Sequence, residues 1–299
     1  LADPTLRVER LYLQGLRLAP TAAGEAAPAP QTQPAMPDIR LPLRIVLQDA
    51  RFEDIEFLPP DGTAQHIERL QLAADADGRT LELQRLELIL ADATVRASGR
   101  IALAPGATSR LEIDWEAALP EQADYAGAGE QRGNLETLTL THRLQQPAAA
   151  QLSLQLQQPL EALQWSLELS LPETALAGFA PDLPPHALGL TLQADGDLAT
   201  ARIQATVNSD YPQLQGEPLT LQAHVSQQDW NHFRLDATEL QLAESRLQAT
   251  GDWSLATASG RLELAWPGLD WPPNTAAFSA TEGQLVWAGG LQDFELELQ

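Results

Sequence analysis

The chain has 299 residues, 44% of them hydrophobic, and a formal net charge of −23 at pH 7. Such strong negative charge argues against sequence-independent nucleic-acid binding, which needs a positive patch to displace counterions from phosphates, and against docking by charge on an anionic membrane surface. The absence of cysteine excludes a disulfide framework, a thiolate metal site and a cysteine nucleophile.

The amino-terminal part of the chain already alternates as a strand does. Two pairs of leucines are each two residues apart, Leu11 with Leu13 and Leu16 with Leu18. This spacing places the members of each pair on one face of a strand. Leu1 is not a start methionine, and the sequence contains neither a signal peptide nor an apolar run of transmembrane length. We therefore expect a fragment of a longer protein.

Three stretches of the chain differ in composition from the rest. Residues 19–38 are rich in Ala, Pro, Thr and Gln and predict a flexible loop. Residues 119–134 are rich in Ala, Gly and Glu and predict a second loop. Residues 172–187 predict a third loop, with room for one helical turn between prolines.

The clearest alternation of apolar and polar residues lies between residues 81 and 103. Apolar residues occupy odd positions up to Leu83, even positions from Leu86 to Leu90, and odd positions again from Val95. One face can stay apolar through these changes of parity only if the chain bulges or turns at each of them. The stretch therefore predicts several short strands.

This stretch is repeated later in the chain. Residues 80–104 align with 232–256 without a gap, and Leu111-Glu-Ile-Asp-Trp matches Leu262-Glu-Leu-Ala-Trp, so we interpret 80–115 and 232–266 as an internal repeat. Repeated β-units that bury a face only by stacking on their neighbours grow in length rather than in radius. We expect one elongated β-repeat region over residues 1–299.

The sequence contains no recognisable catalytic or metal-binding arrangement. The histidines are scattered without metal-ligand spacing, and residues 127–133 resemble a dinucleotide-binding loop only superficially, since the third glycine is one residue late. The many carboxylates fit an outward, solvated face, and the seven tryptophans fit packing or lining better than a sugar-binding platform. We expect no enzyme activity, no cofactor and no metal.

Three segments carry a family resemblance: Leu41-Pro-Leu-Arg-Ile-Val-Leu-Gln-Asp-Ala-Arg-Phe-Glu-Asp-Ile, the stretch from Leu81-Glu-Leu-Gln-Arg-Leu-Glu-Leu to Arg96-Ala-Ser-Gly-Arg-Ile-Ala-Leu, and Ala194-Asp-Gly-Asp-Leu-Ala-Thr-Ala-Arg-Ile-Gln-Ala. In these patterns the chain resembles the TamB-like, AsmA-related proteins of diderm bacteria. The resemblance implies an all-β fold: an elongated, twisted sheet folded into a trough, a β-taco or solenoid-like form with an apolar interior.

The resemblance also implies a function and a location. It implies a periplasmic section of a protein that is anchored in the inner membrane by a segment absent from this chain. It implies phospholipid acyl chains as cargo, and an outer-membrane TamA-like barrel as partner through regions outside this fragment. On this view the chain forms part of an apolar conduit for phospholipid between the two membranes, linked to outer-membrane protein assembly.

The apolar positions of the repeat are the candidate lining of such a trough. A closed β-sandwich or solenoid core would show the same alternation, so the pattern alone leaves the choice between trough and core open. The candidate lining residues are Leu81, Leu83, Leu86, Leu88, Leu90, Val95, Ile101, Leu103, Leu111, Ile113, Trp115, Leu235, Leu240, Leu242, Leu247, Trp253, Leu255, Leu262, Leu264 and Trp266.

Two other functions fit the same alternation. A scaffold or chaperone would receive strands of outer-membrane proteins or autotransporters on an exposed sheet edge by β-augmentation, without conducting lipid. A surface adhesin or glycan-binding solenoid would need clustered, exposed tryptophans. The first predicts sensitivity to proline or charge at an edge strand, whereas the conduit predicts sensitivity to charge among the lining residues.

Overall fold

The computed structural model describes residues 4–18, 41–58, 65–104, 106–118, 123–134, 136–159, 162–179, 183–229, 231–290 and 293–298. The described residues form β-strands almost throughout, with two short 3-10 helices at Leu176–Gly178 and Pro212–Leu214. The prediction of an all-β fold built on a twisted sheet is confirmed. Within these ranges, no helix has the length and hydrophobicity that a membrane crossing requires.

The chain divides into two compact units. Unit 1 comprises Leu1–Pro147 and Leu156–Ala162, and unit 2 comprises Ala148–Gln155 and Leu163–Gln299. The strand β11, Gln151–Gln157, contributes residues to both. The strands of unit 1 are β1 (Thr5–Val8), β2 (Leu11–Gln14), β3 (Arg17–Leu18), β4 (Arg44–Phe57), β5 (Gln65–Asp77), β6 (Thr80–Ile89), β7 (Ala93–Ala102), β8 (Ser109–Ala118), β9 (Asp124–Gly133) and β10 (Thr137–Gln146).

Unit 1 is an antiparallel meander with one parallel edge. From β4 to β10 each strand pairs with the next one in the chain. The three short strands β1 to β3 run parallel to β4 in one constant register, so that Leu6 pairs with Ile45 and Leu13 with Phe52. Tight turns such as the one at Gly78, whose φ is +42°, connect the meander.

Unit 2 is a second antiparallel meander. Its consecutive strands pair from β12 to β18, after which β18 pairs with both β19 and β20, and β20 pairs with β21. Its strands are β12 (Gln164–Ala175), β13 (Ala187–Gly196), β14 (Thr200–Ser209), β15 (Leu219–Asp229), β16 (His232–Leu242), β17 (Ser245–Ser254), β18 (Ser259–Trp271), β19 (Phe278–Ala280), β20 (Gly283–Gly290) and β21 (Phe294–Leu298).

The changes of parity in the sequence correspond to a bulge and a turn. Against β7, the pairing of β6 shifts between Leu83 and Leu86, and a turn follows β6 before β7 starts at Ala93. Against β17, the pairing of β16 shifts between Leu235 and Thr238, the equivalent positions of the second copy. The two copies therefore share their irregularities as well as their alternation, and both irregularities keep one face apolar.

The structural equivalence of the two units extends beyond the matched sequence. In unit 1, Gly133 of β9 pairs with Leu138 of β10, and in unit 2, Gly289 of β20 pairs with Phe294 of β21. Both glycines have a left-handed backbone, with φ of +130° and +125°, which glycine adopts without the steric cost that other residues incur. Strands β9 and β10 therefore correspond to β20 and β21, and β19 is an insertion in unit 2.

Two of the predicted loops are partly wrong. Residues 124–133 of the segment 119–134 form β9, although residues 119–122 lie outside the described part. The apolar signal is weak there because glycines take the place of larger side chains. In the segment 172–187, Pro172 to Ala175 belong to β12, where a bulge after Leu171 accommodates the proline. The expected helical turn is the 3-10 helix Leu176–Gly178, and the predicted loop 19–38 lies outside the described residues.

Candidate functional site

One face of unit 1 is apolar across its strands. Residues that pair directly across an antiparallel ladder point to the same face, so each register defines a row of side chains. One row contains Leu88 of β6, Val95 of β7 and Trp115 of β8. It continues through Leu70 and Phe52 on one side, and through Gly127 and Leu144 on the other. We call this surface the apolar face of unit 1.

Unit 2 has an apolar face of the same construction. One of its rows contains Leu221, Leu240 and Leu247 on β15 to β17. A neighbouring row runs over nine strands, from β12 to β18 and on to β20 and β21. Its members are Leu167, Ala194, Ile203, Ala223, Thr238, Ala249, Leu264, Leu285 and Leu298.

The strand registers bring most of the predicted lining residues onto these two faces. The exceptions are Leu90, Leu103 and Leu255, which lie in the connections after β6, β7 and β17. Leu90 and Leu103 bond through their backbone N–H groups to Ala93 and Arg79, and Leu255 is 55% exposed in a turn. The alternation continues in the sequence beyond the end of each strand, which is why the prediction included these three leucines although they lie outside the strands.

Few apolar side chains of either unit are fully buried. Among the described residues, only Ile55, Leu242 and Pro273 are buried apolar side chains larger than alanine. The rows named above are mostly half-buried, and Ile113 is 37% exposed. A closed β-sandwich core would bury such residues almost completely. Each apolar face therefore remains accessible to a flexible apolar ligand.

The opposite face of unit 1 is charged, and its charges pair across neighbouring strands. Arg96 of β7 contacts Glu87 of β6 at 3.1 Å and Glu116 of β8 at 3.2 Å. Arg44 Nε donates to Asp75 at 2.9 Å, and this hydrogen bond lowers the pKa of the Asp75 carboxyl. Exposed pairs of this kind contribute little stability individually. They give unit 1 a hydrated side opposite its apolar face.

At the parallel edge of unit 1, the carboxylate of Glu53 accepts hydrogen bonds from side chains of β2 and β4. The hydroxyl of Tyr12 on β2 donates to Glu53 at 2.7 Å, and Arg51 Nε donates to it at the same distance. The hydrogen bond from Tyr12 is the main reason why the pKa of Glu53 is lowered, and Arg51 adds to the effect. This contact fastens β2 to β4 on the charged side of the sheet.

The opposite face of unit 2 is polar, and among its described residues fewer ion pairs join neighbouring strands than in unit 1. One cross-strand row of this face contains two amides and a carboxylate: Gln204 of β14 pairs with Gln222 of β15, which pairs with Glu239 of β16. At the bulge of β16 this face contains a concavity of about 480 Å³. Arg234 and Asp236 line it, 3.2 Å apart, so their charges largely satisfy each other. Among the described residues, no group of three or more acidic or histidine side chains could hold a metal ion.

Two tryptophans of the apolar faces lie over glycines of the next strand. Trp115 pairs with Gly127, where an added Cβ would be 2.8 Å from the indole Nε1. Trp266 pairs with Gly283, where an added Cβ would be 2.3 Å from the indole Cζ2. The Trp115 Nε1 also donates to Nε2 of His142 at 2.8 Å. In each unit, then, the indole lies along the sheet because the neighbouring position has no side chain.

A second aromatic group lies at the other end of the unit 2 strands. Trp253 and Trp287 stack with ring centroids 5.5 Å apart, and Phe294 lies 6.4 Å from Trp287. Trp253 also covers Gly260, where an added Cβ would be 2.9 Å from the indole Cε3. These rings face each other rather than presenting a row of open platforms, so the arrangement favours an apolar lining over glycan binding.

Sequence reasoning missed residues of both faces that lie outside the repeat. Their signal, alternation in steps of two, is present in the sequence but was applied only to the repeat. Gly127 and Gly283 had no such signal, since a glycine is recognised as part of an apolar face only when its cross-strand neighbour is known. The missed apolar residues include Phe52, Leu70, Leu72, Leu144, Leu169, Leu192, Leu221, Leu285 and Trp287.

Comparison with known proteins identifies one family. The family model described as "TamB, N-terminal domain" matches residues 6–258, which is most of the chain. The match agrees with the resemblance that the segments at 41–55, 81–103 and 194–205 indicate. No curated protein sequence and no solved structure shows a significant match to the chain.

Proposed function

The chain belongs to the TamB family, and from this premise we propose that its apolar faces conduct phospholipid acyl chains across the periplasm, between the inner and outer membranes. TamB-like proteins take part in translocation and assembly rather than in catalysis. On this proposal the chain is part of a protein anchored in the inner membrane by a segment outside it. That protein works with a TamA-like outer-membrane barrel and thereby supports outer-membrane protein assembly.

One observation carries the proposal: each unit has an apolar face that spans consecutive strands and remains half-exposed. Rows such as the one through Leu88, Val95 and Trp115 continue from strand to strand without a charged side chain. A phospholipid crossing water must expose its chains, at a cost on the order of 12 kcal/mol for 16 carbons at about 0.8 kcal/mol per methylene. A continuous apolar face, curved into a trough, would remove most of that cost.

The charged face supports the same proposal. An open sheet with two apolar faces would aggregate in water. In unit 1 the opposite face carries cross-strand arginine–carboxylate pairs such as Arg100 with Glu82 at 3.0 Å. The sheet can therefore stay dissolved in an aqueous compartment while its other face carries an apolar cargo.

The test is native mass spectrometry of the purified chain, together with lipid extraction. We expect phospholipid to accompany the wild-type chain in stoichiometric amounts and to be lost from Leu240→Arg, since Leu240 lies in the middle of an apolar row of unit 2. The matched control is Gln222→Arg, which adds the same charge to the opposite face of the neighbouring strand. A stable, lipid-free wild-type chain would contradict the proposal.

A second candidate, β-augmentation of an unfolded outer-membrane strand, is favoured by the edge strand β21. Its residues are exposed, with Leu296 at 56% and Leu298 at 72%, and it follows β20, with which it pairs, as the last strand of the chain's meander. Such an edge can accept an extended peptide through main-chain hydrogen bonds. The discriminating variant is Glu295→Pro, since Glu295 lies on the face of β21 opposite the apolar face. It would abolish peptide capture in the scaffold and leave lipid binding unchanged in the conduit.

A further inference from the structure

The two units place a tryptophan over a glycine at equivalent positions of their apolar faces. Trp115 and Trp266 occupy the third strand of the repeat, and Gly127 and Gly283 occupy the strand that follows. The pair of Trp266 and Gly283 is present although β19 is inserted in the chain between β18 and β20. The same relation therefore exists in both units despite different connections, which indicates that it serves the face rather than a particular loop.

From this arrangement we propose that Gly127 and Gly283 are positioning residues for the acyl chain. Without a Cβ at these positions, the indoles lie along the sheet and form a flat apolar floor, and the space above the floor is left to the ligand. The inference rests on the proposed function, because it assigns these glycines a role in the same apolar face.

The clearance at Gly283 depends on a single neighbour. The three atoms nearest to an added Cβ all belong to the indole of Trp266, at 2.3, 2.6 and 2.9 Å. The added methyl group would therefore displace the indole rather than the backbone of the sheet. Since the sheet lies beneath the ring, the displaced ring moves outward, into the space that the acyl chain would occupy.

The two pairs differ in how firmly the indole is held. Trp115 Nε1 donates to His142, whereas Trp266 Nε1 is buried and has no hydrogen-bond partner among the described residues. At the register position equivalent to His142, unit 2 has Leu298, and a leucine side chain offers no acceptor. The indole of Trp266 is thus held by packing alone, and a methyl group at residue 283 displaces it more readily than one at residue 127 displaces Trp115.

The test measures the affinity of the purified chain for a phosphatidylethanolamine that carries one parinaroyl chain, from the fluorescence of that chain on binding. For Gly283→Ala we expect Kd to rise about tenfold, the change for losing contact with about two methylene groups. For Gly127→Ala we expect a smaller rise. The matched control is Gly268→Ala on β18, where an added Cβ has no neighbour within 4 Å, and we expect its Kd to be unchanged.

A rescue variant separates lost clearance from lost folding. Leucine in place of Trp266 removes the ring that the methyl group displaces, so Gly283→Ala combined with Trp266→Leu is expected to bind the probe more tightly than Gly283→Ala alone. Far-UV circular dichroism of each variant verifies the strand content. If Gly283→Ala binds the probe as the wild type does, or if the double variant shows no recovery, the role of these glycines is refuted while the proposed function stands. If the wild-type chain does not bind the probe at all, the proposed function itself fails.

Discussion

The indole of Trp115 reaches across an intervening strand to His142. Trp115 is on β8 and His142 on β10, and the 2.8 Å hydrogen bond from the indole Nε1 to the imidazole Nε2 passes over Gly127 of β9. The two rings are nearly coplanar, with an interplanar angle of 19°. A polar side chain on an apolar face is thereby satisfied, and three strands of unit 1 are tied together.

This contact leads to the first prediction. His142→Ala removes the acceptor of a half-buried indole N–H and is expected to lower the free energy of unfolding by about 1–2 kcal/mol, as measured by urea denaturation. A double-mutant cycle with Trp115→Phe is expected to give a coupling energy of about 1 kcal/mol. The control, His224→Ala, changes an exposed histidine of the polar face. Additivity within error in the cycle would show that the two rings do not interact.

The second prediction concerns charge on the apolar face of unit 1. Val95→Glu places a carboxylate between Leu88 and Trp115 and is expected to abolish function in the full-length protein, with a stability loss of about 1–2 kcal/mol because the site is only half-buried. The readouts are outer-membrane integrity in cells and the far-UV circular dichroism of the purified chain. Thr139→Glu, beside Arg132 on the charged face, is the matched control. Wild-type membrane integrity with Val95→Glu would argue against a conduit.

The third prediction compares the two copies of the repeat. An added Cβ at Gly99 would be 2.1 Å from the carbonyl oxygen of Arg110, and one at Gly251 would be 2.1 Å from that of Arg261. Because backbone atoms cannot move aside, Gly99→Ala and Gly251→Ala are each expected to destabilise their unit by about 1–3 kcal/mol. Hydrogen exchange is expected to show the loss in the strands around each substitution. Gly268→Ala is the control. Hydrogen-exchange protection equal to that of the wild type in either Gly99→Ala or Gly251→Ala would show that the two copies of the repeat are not equivalent at this position.

The fourth prediction concerns acid. Asp197 accepts hydrogen bonds of 2.7 Å from the backbone N–H groups of Ala199 and Thr200, and these bonds lower the pKa of its carboxyl. A carboxyl with a lowered folded pKa stabilises the fold above its unfolded value of about 3.9, and this contribution is lost as pH falls through the folded pKa.

Asp197→Asn retains an acceptor oxygen but cannot titrate. Between about pH 6 and about pH 3, the urea concentration at its unfolding midpoint is therefore expected to fall less than that of the wild type. Urea denaturation of both proteins at each pH measures this difference. Glu295→Gln, an exposed change on β21, is the control for the general loss of negative charge. Identical pH profiles for Asp197→Asn and the wild type would show that this turn does not contribute to acid sensitivity.

The amino-acid sequence predicted the fold class and the bulge in β6 correctly, because both depend on local alternation. The odd positions up to Leu83 and the even positions from Leu86 define one face only if an extra residue is accommodated between them, and the register shifts there. The resemblance to TamB-like proteins was also correct. The segment 124–133 was assigned to a loop because Gly127 and Gly129 have no side chains with which to continue the apolar pattern.

By itself, the sequence determined that the chain forms strands with one apolar and one polar face, and that a block of them is repeated, since alternation in steps of two is a property of each strand alone. Only the tertiary structure decided which residues lie beside one another across strands. Trp115 meets Gly127, and Trp266 meets Gly283, through registers that depend on every bulge and turn between them. The shape of the apolar faces follows from those registers, because the space that one side chain occupies is set by its cross-strand neighbour.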